Sequence, residues 1–184
     1  MKITKIEDLN NIPEGITELY ISDLGLNTLP SLPQSLTKLE CWGNELTSLD
    51  NLPSGLTELY CSFNELTSLD NLPNCLTVLC CGWNGLTSLD NLPSGLTELW
   101  CNNNKLTSLD GLPNGLTGLY CYNNKLTSLD IANCNELEYL VYNNNNFPKE
   151  METILDDGDL TIQEKINKLI EGCLIPYDNS FVLK

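Results

Sequence analysis

The residues best spaced to do chemistry in this chain are five cysteines on a strict interval of twenty: Cys41, Cys61, Cys81, Cys101 and Cys121. Thiols in such a row can bind a metal, pair as disulfides, cycle as a redox device or fill a core. The remaining composition narrows the choice. The 184 residues contain no histidine, and all nine basic residues are lysine. Without histidine there is no Cys-His or Ser-His nucleophilic pair, no imidazole ligand and no imidazole proton shuttle. Without arginine there is no bidentate clamp for phosphate or carboxylate. No residue set assembles into a catalytic site, so the expectation is a protein that is not an enzyme and uses neither cofactor nor resident metal.

The formal net charge is −16. Nucleic acid and anionic membrane surfaces repel such a chain, and a basic protein is attracted to it. No run approaches the roughly 18 apolar residues of a membrane helix. The N-terminus MKITKIEDLNNIP has no apolar h-region and no small-residue cleavage site. With the cysteines taken as reduced thiols, the expectation is a cytoplasmic monomer, with export as an effector left open.

The elements that must position the cysteines belong to a repeat. Its consensus is L-T-x-L-x-C-x-x-N-x-L-T-S-L-D-N-L-P-x-x, with copies beginning at Ile16, Leu36, Leu56, Leu76, Leu96 and Leu116. A seventh begins at Leu137, after a one-residue insertion in IANCNE. In each copy a short run such as ELYCS alternates as a strand does. Leu59 and Cys61 point inward; Glu58, Tyr60 and Ser62 point outward. Leu56, Leu66, Leu69 and Leu72 complete an inward ring. One coil cannot bury its leucines alone, so coils stack, with strands about 4.8 Å apart.

This period decides among the cysteine readings. The thiols share the inward face with leucine, where unpaired cysteine behaves as a small hydrophobe. Their Cβ vectors run parallel, and a linear ladder cannot bring four ligands tetrahedrally onto one zinc ion. Two other ladders accompany it. Asn44, Asn64, Asn84, Asn104 and Asn124, with Asn145 in the shifted copy, follow each strand and can bond the backbone of adjacent coils. The first copy has Leu24 there, which implies an irregular end coil. Asp50, Asp70, Asp90, Asp110 and Asp130 form an acidic row. It can be read as calcium sites, but capping of the turn into Leu-Pro is the preferred reading.

The pattern L-x-x-L-x-C-x-x-N-x-L resembles the leucine-rich repeat family, with cysteine where the family more often has leucine or valine. The twenty-residue period and the Leu-Pro pairs, closest in Leu29-Pro30-Ser31-Leu32-Pro33, resemble the LPX-type repeats of bacterial secreted effectors. The phrases C-x-x-N-x-L-T-S-L-D and LDIANCNELEYL resemble repeats of bacterial surface proteins and of giant DNA viruses. The resemblance implies an α/β repeat solenoid with a parallel β-sheet on its concave face, an irregular convex side and a C-terminal helical cap. Some such effectors carry a ubiquitin-ligase domain with a Cys-x-Asp motif. Cys134-Asn135-Glu136 and Cys173-Leu174-Ile175 do not match that motif, so no ligase activity is expected.

The expected organisation is an N-terminal cap over 1–15, seven repeats over 16–147 and a C-terminal cap over 148–184. Ile3, Ile6, Leu9 and Ile12 should form the apolar side of the first cap. Pro148 opens a helix with Met151, Ile154 and Leu155 inward. Thr161-Ile162-Gln163-Glu164 is a capping box for a second, with Ile162, Ile166, Leu169 and Ile170 inward. DDGDLTIQE looks like a calcium loop, but Thr153 and Leu155 would occupy its first ligand places, and leucine cannot bind calcium.

Structural positions barely change between copies, whereas the outward positions vary. They carry Tyr20, Trp42, Tyr60, Phe63, Trp83, Trp100, Tyr120, Tyr122 and Tyr139, with Glu18, Glu40, Glu58, Glu98 and Lys38 between them. Lys105 and Lys125 lie two places beyond. Rigid exposed aromatics offer large contact area at small entropic cost. Protein binding on this face, with Glu98 among the contact residues, is the preferred reading. Carbohydrate binding is the alternative, using Asn102, Asn103 and Asn123 beside Trp100 and Tyr120. A structural subunit of a larger assembly is a third reading.

Overall fold

The computed structural model describes residues 1–172. Tyr177, Phe181 and Val182, expected to fold back on the helices or fray, lie outside the described residues, as does Cys173. Seven strands, β1 Glu18–Tyr20, β2 Lys38–Glu40, β3 Glu58–Tyr60, β4 Val78–Cys80, β5 Glu98–Trp100, β6 Gly118–Tyr120 and β7 Tyr139–Val141, form one parallel sheet in chain order. The register pairs equivalent repeat positions throughout: Glu18, Lys38, Glu58, Val78, Glu98, Gly118 and Tyr139 are successive partners. The solenoid fold and its C-terminal helices are therefore those expected.

The central leucine of each of the first six strands is fully buried, from Leu19 to Leu119, and so are Cys41, Cys61, Cys81, Cys101 and Cys121. Ile21 takes the cysteine's place in the first coil and is equally buried. Tyr142 takes it in the last coil, where its hydroxyl donates to Asp156 Oδ1 at 2.7 Å and ties that coil to the helices. All eight cysteines among the described residues are free thiols. Removal from water opposes thiolate formation. It pushes Cys41 and Cys121 up to about 12 and raises Cys61, Cys81 and Cys101 as well. These thiols are core, and at neutral pH they are not nucleophiles.

The asparagine ladder is more exacting than a simple turn bond. Asn84 Oδ1 accepts from Leu66 N–H at 3.0 Å, in the preceding coil. Its Nδ2 donates to Cys61 O of that coil and to Cys81 O of its own, both at 3.1 Å. Asn64, Asn104, Asn124 and Asn145 each reach back to a leucine N–H in the same way. Asn44 serves both Leu24 and Leu26. A threonine ladder, Thr37 through Thr117, donates each hydroxyl to the preceding threonine carbonyl at 2.9–3.2 Å. The aspartates do not behave as expected. Asp50, Asp70 and Asp90 accept from the hydroxyls of Ser48, Ser68 and Ser88. The turn beyond them is made by Asn51, Asn71, Asn91 and Gly111 at positive φ. Only Asp130 accepts a backbone N–H ahead of it, that of Ala132 at 3.4 Å.

At the N-terminal edge, Lys2 bridges Tyr20, and Ile3 is buried. A 3-10 helix follows over Ile6–Asn11. Ile6, the first residue of this helix, was expected inward but is exposed, whereas Leu9 and Ile12 pack partly on the core. Helices α1 Lys149–Leu155 and α2 Ile162–Glu171 bury Met151, Leu155, Ile166 and Leu169. The Thr161–Glu164 capping box is formed in both directions.

Two outcomes follow from these ladders. Asn84→Ala strands a leucine N–H and two carbonyls, and should lower unfolding free energy by about 3 kcal/mol in denaturant titrations. The buried thiols stay protonated in the folded chain but ionise near pH 8.5 when unfolded. Stability should thus be full below about pH 8.5 and fall as pH rises towards about 12, by roughly 1.4 kcal/mol per pH unit per thiol. Circular dichroism under reducing conditions should show this alkaline unfolding, and a Cys61→Val, Cys101→Val variant should flatten the pH dependence.

Candidate functional site

Because side chains alternate across a strand, each three-residue strand presents its first and third residues outward. The sheet face is therefore two parallel rows. One runs Glu18, Lys38, Glu58, Val78, Glu98, Gly118, Tyr139, and the other Tyr20, Glu40, Tyr60, Cys80, Trp100, Tyr120, Val141. Beyond the cysteines the chain turns, and two further rows line this margin. Trp42 and Tyr122 stand in the first of them, Phe63 and Trp83 in the second.

The face divides into two chemically different ends. Around β1–β3 it is a closed charge network. Lys38 Nζ lies 3.3 Å from both Glu40 and Glu58. The same ammonium stands 4.9 Å from the Tyr60 ring centroid and 5.9 Å from that of Tyr20. Partial burial opposes its charge, but Glu40 and Glu58 outweigh this and hold Lys38 well above the ordinary lysine value. Tyr20 and Tyr60 hydroxyls donate to Glu18 and Glu58 at 2.5 and 3.1 Å. Burial, then the nearby Glu58 carboxylate, pushes Tyr60 up to about 12. Around β5–β6 the surface is aromatic. Trp100 and Tyr120 stack with ring centroids 3.7 Å apart and planes 15° apart. Trp100 Nε1 donates to Glu98 at 3.4 Å.

Phe63 and Trp83 form a second stack, 5.2 Å between centroids and 11° between planes. They are 53% and 50% exposed. Both have left-handed backbone, φ 56° and 55°. This margin position is left-handed in every coil, and elsewhere it carries Asp23, Gly43, Asn103, Asn123 and Asn144. Those are residues that tolerate the conformation; bulky aromatics do not, at about 1–3 kcal/mol each. Asn103, Asn123 and Asn144 continue the row as an amide chain, with side-chain bonds of 2.8 and 2.7 Å.

The structure thus brings Glu98, Trp100 and Tyr120 together, and separately Phe63 with Trp83. Tyr20 and Tyr60 are half-buried in the Lys38 network. Trp42 and Tyr139 are exposed, while Tyr122 is half-buried. Asn102, considered for sugar contact, is buried. Sequence reading passed over Cys80 and Val78, which interrupt both rows at the centre of the face. Cys80 was the findable one, since its place in VLCC is an outward position. Its half-buried thiol is pushed up to about 12 by burial and by the carboxylates of Glu98, Glu40 and Glu58, so it is not a reactive nucleophile.

A family description of two leucine-rich repeat copies matches residues 34–74. The fold is similar to YopM of Yersinia enterocolitica WA-314, with 33% identity and TM-score 0.70, over 75% of this chain and 31% of that one. It is similar to a Shigella effector leucine-rich repeat domain, with 28% identity and TM-score 0.69, over 84% of this chain and 81% of that one. It is also similar to the functional domain of InlJ from Listeria monocytogenes, which includes a cysteine ladder. There the identity is 34% and the TM-score 0.62, over 78% of this chain and 32% of that one. The chain thus spans about a third of YopM and of the InlJ domain. No curated protein matches the sequence. Among the described residues, no helix is long and apolar enough to cross a membrane.

The strained stack makes a specific demand on stability. A Phe63→Asn, Trp83→Asn variant relieves two left-handed aromatics, about 1 kcal/mol or more each, and loses one stack worth about 1 kcal/mol. Its denaturation midpoint should be unchanged or raised, whereas Leu79→Ala should cost about 3 kcal/mol.

Proposed function

We propose, for a chain that is a leucine-rich repeat protein resembling those of bacterial effectors, that it is a non-enzymatic module binding a basic protein through the exposed sheet face and its margin. Leucine-rich repeats commonly mediate protein–protein interaction and are typically non-enzymatic. The observation that carries the reading is the Phe63–Trp83 stack. Two adjacent coils place bulky, half-exposed aromatics where the backbone is left-handed and where asparagine or glycine would fit without strain. A residue that lowers stability and is turned to solvent is retained for what it contacts. The acidic balance of the chain, −16, supports a basic partner. The burial of Asn102 removes one of the polar groups on which a carbohydrate site would have relied.

Capture from a cell lysate tests this. The native chain is compared with a Phe63→Asn, Trp83→Asn, Trp100→Ala variant shown by circular dichroism to be folded. A basic protein should be retained by the native chain and reduced at least about tenfold by the variant, as for loss of clustered aromatic anchors. Equal capture by both would sink the proposal.

A further inference from the structure

The two ends of the sheet face are variations on one arrangement, and the differences between them say what the second end takes. In the second coil, Lys38 occupies the first outward position of its strand. Carboxylates flank it from Glu40 and Glu58, and the rings of Tyr20 and Tyr60 lie on either side. The chain thereby shows how this surface holds an ammonium group: carboxylate for the charge, aromatic face for the rest.

In the sixth coil the register puts Gly118 at the position of Lys38. Glu98 precedes it in the row and Tyr139 follows. Trp100 and Tyr120 stand in the neighbouring row at the places that Tyr20 and Glu40 hold around Lys38, and Glu98 stands at the place of Glu18. A Cβ on Gly118 would touch Tyr120 Cε2 at 3.4 Å and Glu98 Cγ at 3.7 Å, both ordinary contacts. The position therefore lies between a carboxylate and an aromatic ring, and it has no side chain of its own. Glu98 makes no ion pair among the described residues, whereas Glu40 and Glu58 share Lys38. It accepts a long hydrogen bond, 3.4 Å, from the Trp100 indole.

We infer that the β5–β7 end of the sheet face binds a cationic side chain, an arginine or lysine carried on a basic protein segment, with the charge against Glu98 and the side chain laid on the Trp100–Tyr120 stack. This rests on the protein-binding reading and gives that surface its chemistry. The partner supplies in trans at this end the cation that Lys38 supplies in cis at the other. The guanidinium plane suits the flat stack especially well, and the chain has no arginine of its own to fill it.

The test is a titration of the native protein with a hexa-arginine peptide, followed through the indole N–H resonances of its three tryptophans. The Trp100 signal is identified by its loss in Trp100→Phe. The expected result is a saturable shift of Trp100 with Trp42 and Trp83 unmoved. Glu98→Gln should weaken binding by about fivefold, as for one partly exposed charge pair. Gly118→Lys, which places an ammonium in the pocket from within, should weaken it at least as much while circular dichroism stays native. Equal shifts of all three indoles would mean diffuse attraction to the acidic chain and would overturn the proposal. So would an unchanged affinity in Glu98→Gln, or a Trp100 shift produced by chitotriose and not by the peptide. The peptide reports on the pocket alone, so its failure would leave lysate capture to decide whether the face binds protein by other contacts.

Discussion

Everything in this molecule depends on the asparagine that follows each strand. As the chain turns out of the sheet it carries backbone N–H and C=O groups into a partly or fully buried place, where each must be satisfied. One carboxamide does it across two coils. In the fourth coil, Asn84 takes the Leu66 N–H and gives to the Cys61 and Cys81 carbonyls. A bond of that length fixes the spacing and phase of neighbouring coils together. The leucines and thiols then fall into continuous interior columns, and outward residues fall into straight rows. Three-residue strands are too short to align themselves, so the amide ladder holds the register that a longer sheet would set by its own hydrogen bonds.

That dependence explains why so much was legible beforehand. A residue bound to a fixed partner one coil away recurs at one interval, so the columns of leucine, cysteine and asparagine can be read directly. The outward rows could be read too, since alternation follows from the pleat. What lay hidden was local. Ile6 faces solvent at the first position of the 3-10 turn, although its three-residue spacing from Leu9 matches the period of that turn. Asp50, Asp70 and Asp90 take serine hydroxyls because the left-handed Asn51, Asn71 and Asn91 make the turn without them. The left-handed margin position showed in the sequence only as a preference for asparagine and glycine, and Phe63 and Trp83 concealed it. Which aromatics pair, and which lie under Lys38, depends on rotamers and on the neighbours across the sheet.

The two kinds of position also divide an invariant interior from a variable face. Interior columns are nearly invariant because each rung packs on an identical rung. The face is free to change, and in the middle of the chain it does so against the backbone's preference. Around β1–β3 the charges of the face are satisfied within the protein, which makes that end rigid and self-contained. Around β5–β7 an aromatic stack and a carboxylate with no ion pair among the described residues remain turned outward. On the proposed reading, a surface with one closed and one open end would present a partner with a direction as well as a chemistry.

The amide ladder has a direction of its own. Each asparagine reaches back to the coil before it, from Asn44 serving Leu24 and Leu26 to Asn145 serving Leu126. A coil is therefore incomplete until the next one has been made. On a ribosome, the growing chain would lock its first coil only after the second had emerged, and so onward, always one coil in arrears. The last coil has no successor, and there Tyr142 is tied to the helix end at Asp156 instead. Synthesis from the N-terminus thus runs in the sense in which the bonds are laid, so that ordering follows translation rather than waiting for the finished chain.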